Sequence, residues 1–239
     1  MNYKATAIVP AAGLGRRFGS HMDKPFQTLG GKPLVVWSIE ALESVEEIEE
    51  IIPVLKKEDV ERGKEVFESY RLSKIKKIAL GGKERQDSVF NGLKLVEDKN
   101  CIALIHDGVR PLIEKALIKE AIKRMKEVLQ DREDCDGIVL GVPVKDTIKE
   151  VRREIVKKTL QRDSLWAIQT PQVFPYANIL AVYERAIKEG FFSTDDAALV
   201  EKYGGKIKVI IGSYRNIKIT TPEDLIIAEY LLSTERNNK

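Results

Sequence analysis

Short apolar runs alternate with amphipathic stretches along most of this chain. The apolar runs predict buried strands at residues 5–9, 48–54, 76–80, 101–105, 137–142 and 207–211, with one more short strand at 217–220. Apolar positions at helical spacing predict helices at residues 33–42, 58–70, 86–95, 115–129, 176–188, 195–203 and 225–232. Strands and helices that alternate in this order form βαβ units. The pattern therefore predicts an α/β protein with a mostly parallel sheet and helices on both of its faces.

The alternation is interrupted between residues 143 and 163. This stretch is rich in charge and contains two β-branched patches, Thr147-Ile148 and Ile155-Val156. Two short β-forming patches separated by a charged segment favour a hairpin over a further strand–helix unit, although a solvated surface hairpin would have the same composition. We predict a single domain over residues 1–239 with a β-arm projecting from it at about 143–163.

Composition and charge narrow the classes of function. Lys plus Arg number 40 and Asp plus Glu 37, and a net charge of only +3 argues against a duplex-binding surface. The 2 cysteines and 2 histidines are too few for a disulfide framework or a histidine-rich metal cage. No apolar run approaches the ~20 residues of a membrane span. We expect a cytoplasmic protein without nucleic acid or membrane partners.

A glycine-rich loop follows the first predicted strand at residues 10–19 (PAAGLGRRFG). Small residues let the backbone approach a ligand, its N–H groups can form an anion nest, and two arginines add donors for phosphate oxygens. The spacing does not fit a P-loop, because Gly31-Lys32 and Gly82-Lys83 are followed by Pro33 and Glu84 instead of Ser or Thr. Phe18 stands where a dinucleotide-binding loop needs its third glycine, which disfavours an oxidoreductase. A plain tight turn with solvated arginines remains the alternative for the loop alone.

Further motifs continue from this loop in a fixed order along the chain. Together with residues 10–17 and Lys24, they are residues 29–33 (LGGKP), 81–89 (GGKERQDSV), 106–111 (HDGVRP), 169–172 (QTPQ), 194–197 (TDDA) and 216–220 (NIKIT). The set resembles the sugar and polyol nucleotidyltransferases, and within them the 2-C-methyl-D-erythritol 4-phosphate cytidylyltransferase family. The resemblance covers nearly the whole chain.

The resemblance implies a fold and a reaction. The fold would be a Rossmann-like three-layer α/β/α nucleotidyltransferase fold with a mostly parallel sheet and a projecting β-arm. The reaction would transfer a cytidylyl group from CTP to 2-C-methyl-D-erythritol 4-phosphate and release pyrophosphate, a step of non-mevalonate isoprenoid precursor synthesis. An ionised acceptor phosphate needs no general base, so catalysis should rest on positioning and on neutralising developing charge.

The same resemblance assigns site residues. The implied catalytic residues are Arg17, Lys24 and Lys218. The implied nucleotide contacts are Pro10, Ala11, Ala12, Gly13, Gly15, Arg17, Lys24, Gly82, Ser88, Asp107 and Lys218. The implied contacts to the acceptor substrate are Asp107, Arg110, Thr147, Arg162, Thr170 and Thr194. For each lysine or arginine the alternative is a solvated surface cation, and Ser88 could instead cap a helix.

Asp107 is also the expected metal ligand. It follows the predicted strand 101–105, and open α/β sheets bind ligands at the carboxyl ends of their strands. Mg²⁺ takes few protein oxygens and completes its shell with phosphate and water, and the family places its metal-binding aspartate at this motif. The alternative is that Asp107 caps the turn into Gly108. We interpret the neighbouring His106 as structural.

The arm gives the resemblance a consequence for assembly. In the family such arms interlock across a two-fold homodimer and reach the partner's active site, so Thr147 and Arg162 would act in the other subunit. A ribitol-5-phosphate cytidylyltransferase would share the fold, CTP and Mg²⁺ and is the nearest alternative. A regulatory relative that binds nucleotide without turnover is the alternative from another class.

Overall fold

The computed structural model describes residues 3–13 and 24–237. The strands within these residues are β1 (Ala5–Pro10), β2 (Thr28–Leu29), β3 (Lys32–Pro33), β4 (Ile48–Leu55), β5 (Ala79–Leu80), β6 (Ile102–Ile105), β7 (Gly137–Pro143), β8 (Lys149–Arg152), β9 (Ile155–Thr159), β10 (Trp166–Pro175) and β11 (Ile207–Ile211). The α-helices are α1 (Leu34–Glu43), α2 (Val60–Ser69), α3 (Arg85–Lys94), α4 (Lys115–Asp131), α5 (Tyr176–Glu189), α6 (Asp196–Lys202) and α7 (Pro222–Asn237). Among the described residues, no helix combines the length and apolar character needed to cross a membrane.

Seven of these strands form one sheet in the order β11-β7-β10-β6-β1-β4-β5. β1 lies between β4 and β6 and is parallel to both. β10 is antiparallel to its neighbours β6 and β7, whereas β11 is parallel to β7 and β5 is parallel to β4. The mostly parallel sheet predicted from the sequence is confirmed.

Helices cover both faces of the sheet because its inner strands are apolar on both sides. Ala7 and Val9 of β1 belong to a core cluster with α1, α2 and α4, whereas Ile8 belongs to a second cluster with α3, α5 and α6. Alternate residues of a strand point to opposite faces, so the two clusters lie on opposite sides of the sheet. The Rossmann-like three-layer α/β/α arrangement is thereby confirmed.

Strand β10 was not predicted from the sequence. It carries two prolines and the polar residues Gln169, Thr170 and Gln172, so its sequence lacks the run or alternation of apolar residues that predicts a strand. All three polar side chains are buried and make hydrogen bonds. A central strand tolerates them because each buried polar group has a partner.

The strand predicted at residues 217–220 is wrong. These residues join no ladder, and the amide of Ile219 instead donates to the carbonyl of Val109 in the loop after β6, with N and O 2.9 Å apart. The segment therefore crosses the end of the sheet and does not extend its edge. The strand predicted at 76–80 is shorter than expected, since only Ala79–Leu80 pairs with β4.

The predicted β-arm is present as a separate two-stranded sheet of β8 and β9. Arg153 and Glu154 form its turn with φ of 49° and 65°, the left-handed conformation that tight two-residue hairpins require. The arm exposes more than half of the side-chain surface of Val151, Ile155 and Val156. Apolar surface of this kind on a hairpin is typical of an interaction site.

The packing of β10 against β7 predicts that Gly137→Ala destabilises the protein. A Cβ at Gly137 would lie 2.5 Å from the ring of Phe174, which is fully buried on β10. Overpacking of this kind costs about 1–3 kcal/mol, which we expect as a lower free energy of unfolding in urea. Gly13→Ala is the control, because a Cβ there meets nothing within 4 Å among the described residues. Equal unfolding free energies for both variants would contradict the packing described for β10.

Candidate active site

A cleft of about 730 Å³ opens where the parallel strands β1, β4, β5 and β6 end. Its lining comes mostly from the segments that follow these strands, as expected for the carboxyl edge of an open α/β sheet. The lining residues are Pro10, Ala11, Ala12, Gly13, Lys24, Pro25, Lys56, Lys57, Glu58, Gly81, Gly82, Lys83, Glu84, Arg85, Ser88, Asp107, Val109 and Lys218.

The start of the glycine-rich loop forms one wall of the cleft. The amide of Ala11 donates to the carbonyl of Val54 at 2.9 Å, and the amide of Gly108 donates to the carbonyl of Pro10 at 3.2 Å. These bonds fix the loop between β4 and the segment after β6. Gly15 and Arg17 lie outside the described residues, and Lys24 lines the cleft where the described chain resumes.

The segment after β5 packs tightly against that wall. A Cβ at Gly81 would lie 2.3 Å from the Cβ of Ala12, so only glycine allows this approach. The hydroxyl of Ser88 accepts a hydrogen bond from the amide of Gly82 at 3.0 Å and donates to the carbonyl of Glu84 at 3.1 Å. Ser88 therefore orders the loop from inside α3. The alternative that it caps the helix is wrong, because the cap of α3 is Glu84.

Asp107 is the centre of a charged cluster at the end of β6. Its Oδ2 lies 2.8 Å from Lys218 Nζ, its Oδ1 lies 3.2 Å from Arg85 Nε, and Arg110 Nε lies 3.6 Å from Oδ2. The Asp107 side chain is only 7% exposed, against 39% for Lys218. Because Lys218 belongs to the segment that crosses the sheet end, this segment has a direct role in building the cluster.

The charges around Asp107 decide its ionisation. Burial would raise the pKa of its carboxyl, but Arg85, Lys218 and Arg110 outweigh that effect and hold the pKa well below its usual value. Burial likewise opposes the charge of Arg85, and the carboxylates of Asp196 and Asp107 hold its pKa well above the ordinary range. Asp107 is therefore a carboxylate, and the alternative that it merely caps a turn does not account for its contacts.

Arg85 and Asp196 are site residues that the sequence analysis did not select. The Nη1 and Nη2 atoms of Arg85 each lie 2.9 Å from an oxygen of Asp196, which makes this a bidentate salt bridge. Asp196 is fully buried and accepts a further hydrogen bond from the hydroxyl of Tyr183 on α5. Both residues lie inside motifs quoted above, but their separation of 111 residues gave no sign that they meet.

Thr170 lies beneath Asp107 and does not line the cleft. Its Oγ1 accepts a hydrogen bond from the amide of Asp107 at 3.1 Å and lies 3.0 Å from His106 Nδ1. Burial lowers the pKa of His106 to about 4, so the ring is neutral at pH 7. Its Nε2, 3.3 Å from the carbonyl of Arg110, must then carry the proton, and Nδ1 accepts from the hydroxyl of Thr170. The structural role predicted for His106 agrees with these contacts.

Besides Thr170, four residues expected to contact the acceptor lie apart from the cleft surface. Arg110 is 11% exposed and reaches the cleft through Asp107, with its Nη1 donating to the carbonyl of Asn216 at 2.8 Å. Thr194 is exposed just before α6. Thr147 and Arg162 are exposed on the arm segment, where Arg162 Nη1 donates to the carbonyl of Lys145 at 3.0 Å. The site of one chain therefore lacks the two arm residues.

Three lysines that the sequence analysis passed over also line the cleft: Lys56, Lys57 and Lys83. Among the described lining residues, cations outnumber carboxylates six to three. A cleft with this balance attracts anions such as a triphosphate.

Asp107 can also serve as a ligand for a divalent cation. Within the described part of the chain, Oδ1 accepts a hydrogen bond from Arg85 and Oδ2 one from Lys218, which leaves lone pairs for a metal. No cluster of three or more metal-ligating side chains occurs in residues 3–13 and 24–237. One carboxylate is nevertheless enough for Mg²⁺ when phosphate and water supply the other ligands. The donor set fits such a metal.

The chain is similar to known proteins over almost its full length. A family model described as IspD: 2-C-methyl-D-erythritol 4-phosphate cytidylyltransferase matches residues 5–234. The 2-C-methyl-D-erythritol 4-phosphate cytidylyltransferase of Geotalea uraniireducens is 41% identical over 239 residues, which are 99% of this chain and 100% of that protein. That of Clostridioides difficile is 45% identical over 236 residues, covering 98% and 96% of the two chains.

A solved structure agrees with this likeness. The crystal structure of 4-diphosphocytidyl-2C-methyl-D-erythritol synthase from Anaerococcus prevotii matches with a TM-score of 0.83 and 34% identity, covering 97% of each chain. The resemblance that the motifs suggested is thus confirmed by sequence and by fold. The chain belongs to the 2-C-methyl-D-erythritol 4-phosphate cytidylyltransferase family.

Proposed function

We propose that this chain transfers a cytidylyl group from CTP to 2-C-methyl-D-erythritol 4-phosphate, giving 4-diphosphocytidyl-2-C-methyl-D-erythritol and pyrophosphate for isoprenoid precursor synthesis. Family membership supports the choice of substrates. The single observation that carries the mechanism is the ionised Asp107 with Lys218 on its Oδ2, facing a cationic cleft. This arrangement can hold a triphosphate and neutralise charge without a general base.

CTP occupies the cleft between the glycine-rich loop and the segment after β5. The nucleoside contacts backbone groups and small side chains where these two segments pack against each other. The triphosphate contacts the cations at the strand ends. The residues assigned to the nucleotide are Pro10, Ala11, Ala12, Gly13, Gly15, Arg17, Lys24, Gly82, Ser88, Asp107 and Lys218. Of these, the described ones all line the cleft.

The reaction is an in-line displacement at the α-phosphorus of CTP. A phosphate oxygen of the acceptor forms the new P–O bond, the bond from the α-phosphorus to its bridging oxygen breaks, and pyrophosphate leaves with the electron pair. Lys24, Lys218 and Arg17 neutralise the charge that develops on the phosphates, which lowers the barrier. Asp107 orients Lys218 before the substrates arrive.

Mg²⁺ would be held by Asp107 together with substrate phosphates. When bound, the ion supplies positive charge to the triphosphate and to the departing pyrophosphate. The ionised carboxylate is the contribution of the chain.

The acceptor phosphate is recognised by residues of two subunits. Asp107, Arg110, Thr170 and Thr194 belong to the subunit that binds CTP. Of these, Thr170 is buried and acts through its hydrogen bond with the amide of Asp107. Thr147 and Arg162 lie on the arm and do not line the cleft of their own chain, so we assign them to the cleft of a second copy. The exposed apolar side chains of the arm support a homodimer that interlocks through residues 143–163.

Pyrophosphate release tests the reaction directly. With CTP and Mg²⁺, we expect release with 2-C-methyl-D-erythritol 4-phosphate and less than about 1% of that rate with ribitol 5-phosphate, since a site built for specific polar contacts discriminates by two or more orders of magnitude. Lys24→Ala should lower kcat at least about 100-fold, since it removes charge stabilisation of the transition state.

Release with ribitol 5-phosphate alone would keep the nucleotide site and refute the acceptor assignment. CTP binding without release in either case would indicate the regulatory relative.

Subunit mixing tests the role of the arm. Arg162→Ala and Lys218→Ala homodimers should each be nearly inactive, whereas a mixture exchanged through mild denaturation should recover about a quarter of the wild-type kcat per site. The reason is statistical: half of the dimers are mixed, and each mixed dimer has one site with both residues intact. The measurement is pyrophosphate release after exchange.

The matched control mixes Lys24→Ala with Lys218→Ala. Both residues belong to the same cleft, so no mixed dimer regains an intact site and activity should stay low. Recovery in the control, or none with Arg162→Ala, would refute an arm that acts across the dimer.

A further inference from the structure

Lys218 has two potential partners in the proposed reaction. Its ammonium lies 2.8 Å from Asp107 Oδ2, and it is the most exposed of the three cations around that carboxylate, at 39% against 27% for Arg85 and 11% for Arg110. As it moves toward a phosphate, it takes positive charge away from Asp107. A carboxylate that is only 7% exposed gains little stabilisation from water, so it needs the remaining side-chain cations in addition to the metal proposed there.

Arg85 is placed to keep a positive charge beside Asp107 when Lys218 moves to a phosphate. Its Nη1 and Nη2 atoms both pair with Asp196 at 2.9 Å, and its Nε lies 3.2 Å from Asp107 Oδ1, whereas Lys218 lies 2.8 Å from Oδ2. Asp196 is fully buried and is held by the hydroxyl of Tyr183. The bidentate salt bridge with Asp196 fixes the plane of the guanidinium. The contact between Arg85 Nε and Asp107 therefore persists whether or not Lys218 is present.

We propose that Arg85, fixed by Asp196 and Tyr183, is a positioning residue that stabilises the Asp107 carboxylate while Lys218 moves to the reacting phosphate. This inference rests on the proposed function, which gives Lys218 its role at the phosphate. With Mg²⁺ at saturating concentration, Arg85 thus acts on kcat through Lys218, and its contribution to kcat vanishes when Lys218 is absent. A merely structural Arg85 would matter equally in both cases.

A double-mutant cycle separates these two roles. Arg85→Gln alone would leave two buried carboxylates poorly compensated, so the test pairs it with Asp196→Asn, which removes both charges together. We expect this pair of changes to lower kcat about 10- to 100-fold, with the KM for CTP changed less than about threefold, as for an interaction gained only in the transition state.

The other single change in the cycle is Lys218→Gln, which should lower kcat at least about 100-fold. When all three changes are combined, kcat should lie within about threefold of the value for Lys218→Gln alone. Losses that multiply would overturn the positioning role and assign Arg85 to stability only.

Arg85→Lys gives an independent reading if the other variants fail to fold. This variant keeps the positive charge, but a lysine cannot make a bidentate salt bridge with Asp196 and contact Asp107 at the same time. We expect at least about a 10-fold loss of kcat, with the KM for CTP changed less than about threefold. Wild-type kcat in this variant would overturn the proposal.

The matched control is Arg185→Gln combined with Glu189→Gln. These residues form an exposed ion pair on α5, 2.9 Å between Nε and Oε1, on a helix that also carries Tyr183. Their loss should leave kcat unchanged. A wild-type protein that releases no pyrophosphate would refute the proposed function itself, whereas an active wild type with multiplicative losses refutes only the role of Arg85.

Discussion

The ionised carboxylate of Asp107, buried at the end of β6, is the constraint on which the site depends. A buried charge is costly unless it is paired and hydrogen-bonded, and here the partners come from separate parts of the chain. Arg85 arrives from α3 and Lys218 from the segment that crosses the sheet end. Thr170 of β10 accepts from the backbone amide of Asp107. Pairing the carboxylate and the backbone amide of Asp107 therefore fixes the relative positions of four chain segments around the cleft.

The same constraint explains the polar central strand. β10 runs antiparallel between β6 and β7, and its position beside β6 brings Thr170 under Asp107 and His106. The neutral imidazole then links Thr170 to the carbonyl of Arg110. An apolar residue in place of Thr170 would leave the amide of Asp107 and the Nδ1 atom of His106 without this hydrogen-bond partner. Hydrogen bonds from β10 thus support the loop that carries Asp107, and cations line the side of the site that faces the cleft.

Local patterns predicted most of the fold, because strands such as β1 and β6 are continuous apolar runs and α4 has strong helical spacing. They failed for β10, whose prolines and buried polar residues are stabilised by distant partners. Motifs also predicted where Asp107 and Lys218 lie. They could not predict the pairing of Arg85 with Asp196, because a contact across 111 residues has no local signature. Nor does one chain bring Thr147 and Arg162 to the cleft, since their proposed site needs a second copy.

The most direct test is a crystal structure of the wild-type protein with CTP and Mg²⁺, compared at Asp107 with the ligand-free protein. We expect Lys218 Nζ to contact a phosphate oxygen and to lie farther than 2.8 Å from Asp107 Oδ2. Arg85 should keep both contacts with Asp196 and its contact with Asp107 Oδ1. A bound triphosphate that leaves Lys218 on Asp107, or an Arg85 that turns away from Asp196 to the phosphates, would contradict this division of roles.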